Sequence, residues 1–332
     1  MSVTRVIARI ISRATAAGMA IALVVLPMHA YPQQPQRQHR IGVLNEAWAA
    51  NHPTVEGLRA GLRDLGFEEG RDVTFDIRFT QGKPEATRAA AEALVKEGVD
   101  LIFTSNEAAT QAAKHATQKI PIVFTLVGDP VMAGILRSIA KPGGNLTGVS
   151  SLTSDLVAKR LEILKTLAPK IHRVWAIHHG DDPSSIEAIR RAEVAAKRLN
   201  VELMARAVYS GEQLAHTIKA IGPGDALLPP DVGTLDIPAA LLEFSMASRL
   251  PAVFATSLWV GHGGLASYGP DYHAQGVQAA RLVAKILRGA RPGDLPVEGA
   301  DRIDLAVNLK TAGVLGLTVP RKVMLRADTI RR

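Results

Sequence analysis

From about residue 40 onward, short apolar runs alternate with segments in which apolar residues recur every three or four positions. The short runs predict buried strands, and the periodic segments predict amphipathic helices. Continuous apolar runs such as RIGVL (40–44) and PIVFTL (121–126) are typical of parallel strands that are covered by helices on both faces. The sequence therefore predicts an α/β protein built on doubly wound parallel sheets.

The alternation is interrupted near PGGN (142–145) and then starts again with SDLVAKRLEILKTLAP (154–169). A chain of 332 residues is long for one hydrophobic core and suggests about two domains. We therefore expect two lobes of similar size, with their joint near residues 145–151.

Two polar breaks lie close together in IPIVFTLVGDPVMAGILRSIAKPGGNLTGVS (120–150). The pattern predicts a short helix between them, beginning at Val131. In open parallel sheets, ligands bind beyond the carboxyl ends of the strands, and Gly128-Asp129-Pro130 follows such an end. Asp129 could hydrogen-bond a ligand amine or hydroxyl, or it could cap the helix, and the sequence leaves both readings open.

The N-terminus has three arginines, no acid and then an apolar run from Ala14 to Met28. This pattern predicts a secretory signal peptide over residues 1–30, cleaved near Ala30-Tyr31, and a disordered leader over residues 31–39. The alternative is a membrane anchor, but the apolar run is short for a span, which needs roughly 20 residues.

The chain contains no cysteine, which excludes disulfides and thiolate metal sites. Removal of residues 1–30 takes away three arginines and no acid, so the formal net charge falls from +8 to +5. Aromatic residues make up only 4% of the chain, and no basic run is interleaved with them. Nucleic-acid binding is therefore not expected.

Several catalytic chemistries find no support. His178 and His179 lie beside Asp181 and Asp182, but adjacent strand residues point to opposite faces, so the two rings would not share one metal ion. LVGDP lacks the lysine and second glycine of a phosphate loop, and no GxSxG elbow occurs. We expect a protein that is not an enzyme and that has no metal or cofactor.

The stretch 120–150, with KRLEILKTLAP (159–169), GGLASYGPDYHAQGVQAARLVAKILRGARPGDLPVE (263–298) and LAVNLKTAGVLGLTVP (305–320), resembles the ABC transporter substrate-binding family that includes TrpX-like proteins. The resemblance covers residues 40 to 327. It implies the type I periplasmic binding protein fold, in which two lobes are joined by three crossing strands around a ligand cleft. It assigns residues 40–148 and 266–292 to lobe 1, and residues 149–265 and 293–332 to lobe 2.

The ends of the predicted strands supply the candidate ligand-binding residues. In the first lobe and at the first crossing they are Asn45, Glu46, Thr104, Ser105, Asn106, Thr125, Gly128, Asp129, Ser150 and Ser151. In the second lobe and at the second crossing they are His178, His179, Asp231, Thr256, Ser257 and Tyr268. Each also has a structural reading, as a turn residue, a cap or a strand hydroxyl. Hinge segments are expected at residues 142–145 and near Gly263 and Gly293.

The resemblance implies a periplasmic receptor that captures a small molecule and delivers it to an ABC permease and its ATPase. It suggests an aromatic amino acid or a related small carboxylate as the ligand, and we expect a monomer. The loops HHGDDPSS (178–185) and ALLPPDVGTLDIP (226–238) depart from the family pattern, so the ligand itself stays open. The alternative function is that of a periplasmic sensor, which would present its bound ligand to a signalling partner.

Overall fold

The computed structural model describes residues 38–46, 52–230 and 236–332. The predicted signal peptide, all but two residues of the predicted leader, and the candidate Asp231 lie outside these ranges. No helix in the described part of the chain is long and apolar enough to cross a bilayer.

Strands and helices alternate along the described residues, as the apolar pattern predicts. The strands, numbered in chain order, are β1 (His39–Asn45), β2 (Val73–Phe79), β3 (Leu101–Ser105), β4 (Ile122–Val127), β5 (Leu146–Ser150), β6 (Arg173–His179), β7 (Glu202–Val208), β8 (Ala226–Leu227), β9 (Val253–Phe254), β10 (Ala266–Pro270), β11 (Glu298–Gly299), β12 (Ile303–Asn308) and β13 (Thr329–Arg331). The helices are α1 (Pro53–Asp64), α2 (Pro84–Lys96), α3 (Glu107–Ala116), α4 (Thr153–Leu167), α5 (Pro183–Arg198), α6 (Gly211–Ile218), α7 (Ile237–Ser248), α8 (Ser257–Gly261), α9 (Tyr272–Leu287), α10 (Leu309–Val314) and α11 (Arg321–Met324).

The first lobe is built on a six-stranded parallel sheet in the order β11-β5-β4-β3-β1-β2. Alternate residues of its central strands enter two different cores. Val43, Phe103 and Val123 pack with apolar residues of α1 and α9 on one face. Leu44, Ile102 and other alternate strand residues pack with α2 and α3 on the other face. Because the strands are buried on both faces of the sheet, their sequences are continuous apolar runs.

The second lobe contains the parallel order β7-β6-β8 and a second set in the order β13-β12-β10-β9. A parallel bridge between Leu227 and Ala252 connects the two sets. Every pairing among these strands is parallel except that of β10 with β12. Helices α4 and α5 contribute to the core on one face, and α6 and α7 contribute to the core on the other.

Three crossings connect the lobes. The chain leaves the first lobe after β5, returns after β10 at the start of α9, and leaves again between β11 and β12. The crossings themselves are residues 151–152, Asp271 and residues 300–302. The doubly wound, two-lobed α/β architecture that the sequence predicts is confirmed.

The placement of three segments differs from the sequence expectation. The strand 266–270 was expected in the first lobe but pairs with β9 and β12 of the second. Only the helix that follows it, α9, packs on the first lobe. In addition, β11 and the preceding 3₁₀ turn Pro292–Asp294 lie beside β5, although residues 293–332 were expected in the second lobe. Strand pairing depends on distant residues, so local pattern does not determine it.

The expected helix from Val131 is absent. Residues 130–136 instead form hydrogen-bonded turns, in which the amides of Ile135 and Leu136 both donate to the carbonyl of Pro130. Gly134 has a φ of 66°, a left-handed conformation that a continuing helix does not tolerate.

The expected hinge segments also lie away from the crossings. Residues 142–145 precede β5, and the Gly143 amide donates to the Gly293 carbonyl at 3.1 Å beside the first sheet. Gly263 lies ahead of β10, whereas the crossing follows Pro270.

Candidate functional site

Three polar side chains form a row at the carboxyl edge of the first sheet. Asn45 pairs in register with Ser105, and Ser105 pairs in register with Thr125. Each lies two positions after a strand residue that packs against α1 and α9, namely Val43, Phe103 and Val123. Residues two apart on a strand point to the same face, so all three side chains project toward α1 and α9. Ser105 is 2% exposed, and its buried hydroxyl has no hydrogen-bond partner among the described residues. A buried hydroxyl without a protein partner is a candidate ligand contact.

Two of the predicted residues bind each other beside this row. Asn106 has a φ of 110°, a strained value for a residue with a side chain, and caps α3 by accepting a hydrogen bond from the Ala109 amide at 2.9 Å. Its Nδ2 donates to a carboxylate oxygen of Glu46 at 2.8 Å. Glu46 also accepts a hydrogen bond from the Thr87 hydroxyl at 2.9 Å. These contacts hold Glu46, the residue after β1, against the start of α3 and against α2.

The hydroxyl groups of Thr104 and Thr125 have partners inside the first lobe. The Thr104 hydroxyl lies 2.8 Å from that of Thr110 on the face opposite Ser105, and Thr104 is fully buried. Thr125, also fully buried, donates to the Thr104 carbonyl at 3.2 Å. The geometry gives Thr104 a packing role rather than a position in the row.

The strand end after β4 is held by local hydrogen bonds. One carboxylate oxygen of Asp129, Oδ1, accepts hydrogen bonds from the amides of Val131 and Met132, each at 3.0 Å. Asp129 therefore caps a turn and not a helix. The Ser150 hydroxyl donates to the Gly128 carbonyl at 2.9 Å, and the Ser151 hydroxyl accepts from Gln275 of α9 at 3.3 Å.

In the second lobe, most of the predicted residues lie at the ends of β6 and β9. His178 is buried, and its Nδ1 lies 3.0 Å from the His179 carbonyl. The His179 ring meets the ring of Tyr209 edge-on at 6.0 Å. Thr256 caps α8 by accepting a hydrogen bond from the Leu258 amide at 3.4 Å, and Ser257, the first residue of that helix, is exposed.

Tyr268 is half-buried on β10, and it packs against the core beside α4 and α5. A cavity of about 20 Å³ near this core is lined by His178, Arg160 and Ser185, together with apolar residues. That volume holds about one water molecule and is too small for a metabolite.

A contact between the lobes involves residues that the sequence analysis did not select. The Ser184 hydroxyl, in the first turn of α5, donates to the Glu107 carboxylate at the start of α3, with an Oγ–Oε2 distance of 3.0 Å. Asp182 caps α5 by accepting from the Ser184 amide at 3.2 Å, and it also accepts from the Ser185 hydroxyl. Glu107 was not considered in the sequence analysis, and Asp182 was considered only as a neighbour of two histidines.

The electrostatics of this contact are unusual for a glutamate. Burial raises the pKa of Glu107, and the negative charge of Asp182 raises it further. The hydrogen bond from Ser184 opposes this shift, and Asp129 adds to it, so the pKa of Glu107 is about 7. Carboxylates from both lobes therefore meet where the amino ends of α3 and α5 converge.

A stacked pair of aromatic rings was also not selected in the sequence analysis. His52, which caps α1, stacks on Tyr272, the first residue of α9, with ring centroids 5.7 Å apart. Burial lowers the pKa of His52 to about 4, so its ring is neutral at physiological pH. Both helices begin at the end of the first lobe that carries the polar row. The sequence signal was weak, because each ring belongs to a separate helix start.

No group of three or more histidine, aspartate or glutamate side chains within residues 38–46, 52–230 and 236–332 has the geometry to hold a metal ion. The adjacent histidines of β6 make the contacts described above, and the His179 ring also accepts a hydrogen bond from the Asp181 amide at 3.2 Å.

Comparison with known proteins identifies the family. Residues 48–331 match the family model described as ABC transporter substrate binding protein, and the chain belongs to that family. A curated relative, the tyrosine-binding protein of Clostridioides difficile (strain R20291), is 29% identical over 302 residues, which cover 89% of this chain and 85% of the relative.

Two solved structures extend the comparison. The first is an ABC domain in complex with L-Trp from Streptococcus pneumonia, with 26% identity, a TM-score of 0.81, and coverage of 89% of this chain and all of that one. The second is a ligand-free, open substrate binding protein with adhesive properties from Clostridium difficile, with 26% identity, a TM-score of 0.67, and coverage of 88% and 99%. These matches confirm the type I periplasmic binding protein fold, and the relatives are binding proteins rather than enzymes.

Proposed function

We propose that this protein is the solute receptor of an ABC importer and that it captures an amino acid with an aromatic side chain between its two lobes. The family match supports the receptor role. The printed descriptions of the relatives, one tyrosine-binding and one in complex with L-Trp, support the ligand class. The observation that carries the proposal is the convergence of polar strand ends, acidic helix starts and an aromatic pair at one end of the first lobe.

The lobes bind such a ligand between opposing surfaces. In this proposal lobe 1 comprises residues 38–150 and 272–299, and lobe 2 comprises residues 153–270 and 303–332, with the crossings between them. These bounds move β10 to lobe 2 and β11 to lobe 1 relative to the sequence expectation, following the strand pairing.

The polar row Asn45, Ser105 and Thr125 forms the floor of the site in lobe 1. Ser105 offers a buried hydroxyl whose hydrogen-bonding capacity no described residue uses. A ligand carboxylate or amine that accepts or donates there would satisfy a group that is otherwise costly to bury.

The ligand ammonium group lies among the carboxylates. Asp129 uses Oδ1 for the turn amides, and no described residue donates to its Oδ2. Glu107 and Asp182 add negative charge from the two facing helix starts. An ammonium group bound there relieves the repulsion among these acids and makes charge-assisted hydrogen bonds.

The ligand ring stacks near His52 and Tyr272. Their rings are already parallel enough to stack, with an interplanar angle of 28°. A neutral imidazole beside a phenol ring provides an apolar face for an aromatic side chain, and such ring pairs contribute about 0.5–1.5 kcal/mol beyond their buried area.

Closure of the lobes completes the site. The hydrogen bond between Glu107 and Ser184 joins the lobes away from the crossings. At the same identity of 26%, the structure superposes better on the L-Trp complex than on the ligand-free, open relative. Both observations support the proposal that the described conformation is the closed one.

Export and delivery complete the proposed function. A signal peptide directs the protein to the periplasm and is cleaved near Ala30-Tyr31. The mature protein works as a monomer and presents its ligand to a permease with its ATPase. N-terminal sequencing of the secreted protein should find Tyr31 or a close neighbour at the start. Soluble protein that retains Met1 in the cytoplasm would contradict this part of the proposal.

A thermal-shift screen tests the ligand class. The panel comprises the twenty amino acids, aromatic acids that lack the amine, and small organic acids. A ligand present at 100 times its dissociation constant stabilises the folded state by about 2.7 kcal/mol. We expect L-tyrosine, L-tryptophan or L-phenylalanine to give the largest shift. If an organic acid or an aromatic acid that lacks the amine gave the largest shift, the proposed ligand class would be overturned.

A further inference from the structure

The contact between Glu107 and Ser184 joins two lobes that are otherwise connected through the three crossings. Glu107 is the first residue of α3, and Ser184 is the second residue of α5. The 3.0 Å hydrogen bond between them spans 77 positions in the sequence. Opening of the cleft separates the two helix starts, so this bond exists only when the lobes are close.

The groups that face Glu107 come from two places, the start of α5 and the turn after β4. Asp182 caps α5, Asp129 follows β4, and Ser184 lies on α5 itself. The charges that act on Glu107 are both negative. His179 and Asp181 lie at the same strand end of lobe 2, where the Asp181 amide donates to the His179 ring at 3.2 Å.

An ionised Glu107 in this position meets two other carboxylates in a partly buried setting. A protonated Glu107 has no charge to repel them, and its hydroxyl can itself donate a hydrogen bond. Closure is therefore easier for the protonated form than for the ionised form.

We propose that the contact of Glu107 with the start of α5, where it is partly buried and faces the carboxylates of Asp182 and Asp129, is a proton-dependent latch, so that the empty protein closes more readily as the pH falls. The latch goes beyond the proposed function, because it depends on the two lobes and on no particular ligand. A fall in pH therefore shifts empty receptors toward the closed state, and a rise in pH shifts them toward the open state, which can capture ligand.

The direction of the pH effect follows from proton linkage. In the closed state the pKa of Glu107 is about 7, whereas its ordinary value is 4.5. If opening restores the ordinary value, closure takes up a proton between these two limits. The ratio of closed to open protein therefore rises as the pH falls through about 7, and it levels off near the ordinary pKa.

The chain contains no cysteine, so spin labels attach only at cysteines that are introduced for the measurement. Glu92 on α2 and Glu193 on α5 are exposed, one on each lobe, and can be changed to cysteine and spin-labelled. Pulsed electron paramagnetic resonance then measures the distance between the two labels, one on each lobe, in the ligand-free mature protein at pH 5.5 and at pH 8. We expect the closed-to-open ratio to be roughly tenfold or more higher at pH 5.5, since each pKa unit corresponds to a factor of ten.

Substitutions assign this response to the latch. Glu107→Gln mimics the protonated side chain and should make the ratio independent of pH, near the wild-type value at pH 5.5. Ser184→Ala removes the hydroxyl and should lower the closed fraction at pH 5.5. The matched control is Glu85→Gln, which removes the charge of an exposed first-turn acid on α2, and it should behave like the wild type.

A Glu107→Gln variant that keeps the wild-type pH response would overturn the latch. So would a wild-type ratio that is equal at both pH values, or a closed form that is undetectable at both. The measurement uses no ligand, so its failure would leave the proposed amino-acid binding intact, and a failed ligand screen would leave the latch intact.

Discussion

Asp129 combines a role in the local fold with the ligand role that we propose for it. Its Oδ1 accepts two backbone hydrogen bonds that hold the turn after β4. Its negative charge also reaches Glu107 at the contact between the lobes. The sequence left the cap and ligand readings open, and the geometry allows both, because the turn uses one carboxylate oxygen.

The substitution Asp129→Asn separates these two roles. Asparagine caps as well as aspartate, so the free energy of unfolding should change little. The loss of the charge should weaken binding of an amino acid by about 1.5–3 kcal/mol, the range for hydrogen bonds to charged groups. Calorimetry on the folded variant measures this loss.

The matched control is Asp294→Asn, which removes an exposed aspartate on the 3₁₀ turn after α9. It should leave the affinity unchanged. If Asp129→Asn binds the ligand as tightly as the wild type, Asp129 is a structural cap only.

At the residue scale, sequence reasoning found the polar ends of strands but not their partners. Asn45, Ser105 and Thr125 were predicted because each follows an apolar run, and the structure places them side by side. Glu107 and Ser184 could not be found in this way. Each looks like an ordinary first-turn residue, and their significance arises only when two helices from different lobes meet.

At the element scale, glycines allow α1 and α9 to approach closely on the first lobe. A Cβ atom added at Gly276 would lie 2.1 Å from the Thr54 carbonyl oxygen, and one added at Gly57 would lie 2.0 Å from the His273 carbonyl oxygen. Both neighbours are backbone atoms, so neither can rotate away. This packing positions the helix starts that carry His52 and Tyr272.

Gly276→Ala should therefore destabilise the protein. Overpacking of a tight interface costs about 1–3 kcal/mol, and a clash with backbone should put this variant at or above the upper end. Urea denaturation of the mature protein measures the change. The control is Gly313→Ala in α10, where an added Cβ would meet no atom within 4 Å.

Gly313→Ala should be neutral or stabilising, since alanine is favoured over glycine in a helix by about 0.5–1 kcal/mol. Equal unfolding free energies for the two variants would show that α1 and α9 can separate without cost.

The elements themselves were largely predictable, because strands that are buried on both faces and amphipathic helices have distinct apolar periods. The exception at Val131 has a local cause. Pro130 and the left-handed Gly134 favour consecutive turns, and the apolar residues between the two breaks resembled a helix by composition alone. The strand 266–270 was correctly expected, but its sheet was not, since pairing with β12 depends on residues that come later in the chain.

At the scale of the whole molecule, α9 holds two of the three crossings. Gln275 contacts both the first crossing at Ser151 and the end of β4, where it accepts from the Leu126 amide at 3.3 Å. Gln278 donates to the Gly299 carbonyl at 2.9 Å and accepts from the Asp301 amide at 3.1 Å. These bonds tie the crossings to lobe 1, so bending is expected beyond them, near Leu152 and Arg302.

With bending confined to these positions, each lobe would move as a rigid body in the proposed closure. Leu152 has a φ of 56°, a left-handed conformation at the point where the chain enters lobe 2. Hinges are a few such positions that absorb large changes in backbone angles. The sequence expectation of hinges at residues 142–145 failed, because Pro and Gly mark turns in general and do not identify which turns lie between lobes.

Isothermal titration calorimetry of the mature protein with L-tyrosine and L-tryptophan tests the central claim most directly. The account predicts that at least one of them binds with one ligand per chain. It also predicts at least tenfold weaker binding of the matching acid that lacks the amine, since the loss of one charge-assisted hydrogen bond costs about 1.5–3 kcal/mol. Folded protein that binds neither amino acid at millimolar concentration, or that binds the amine-free acid equally well, would contradict it.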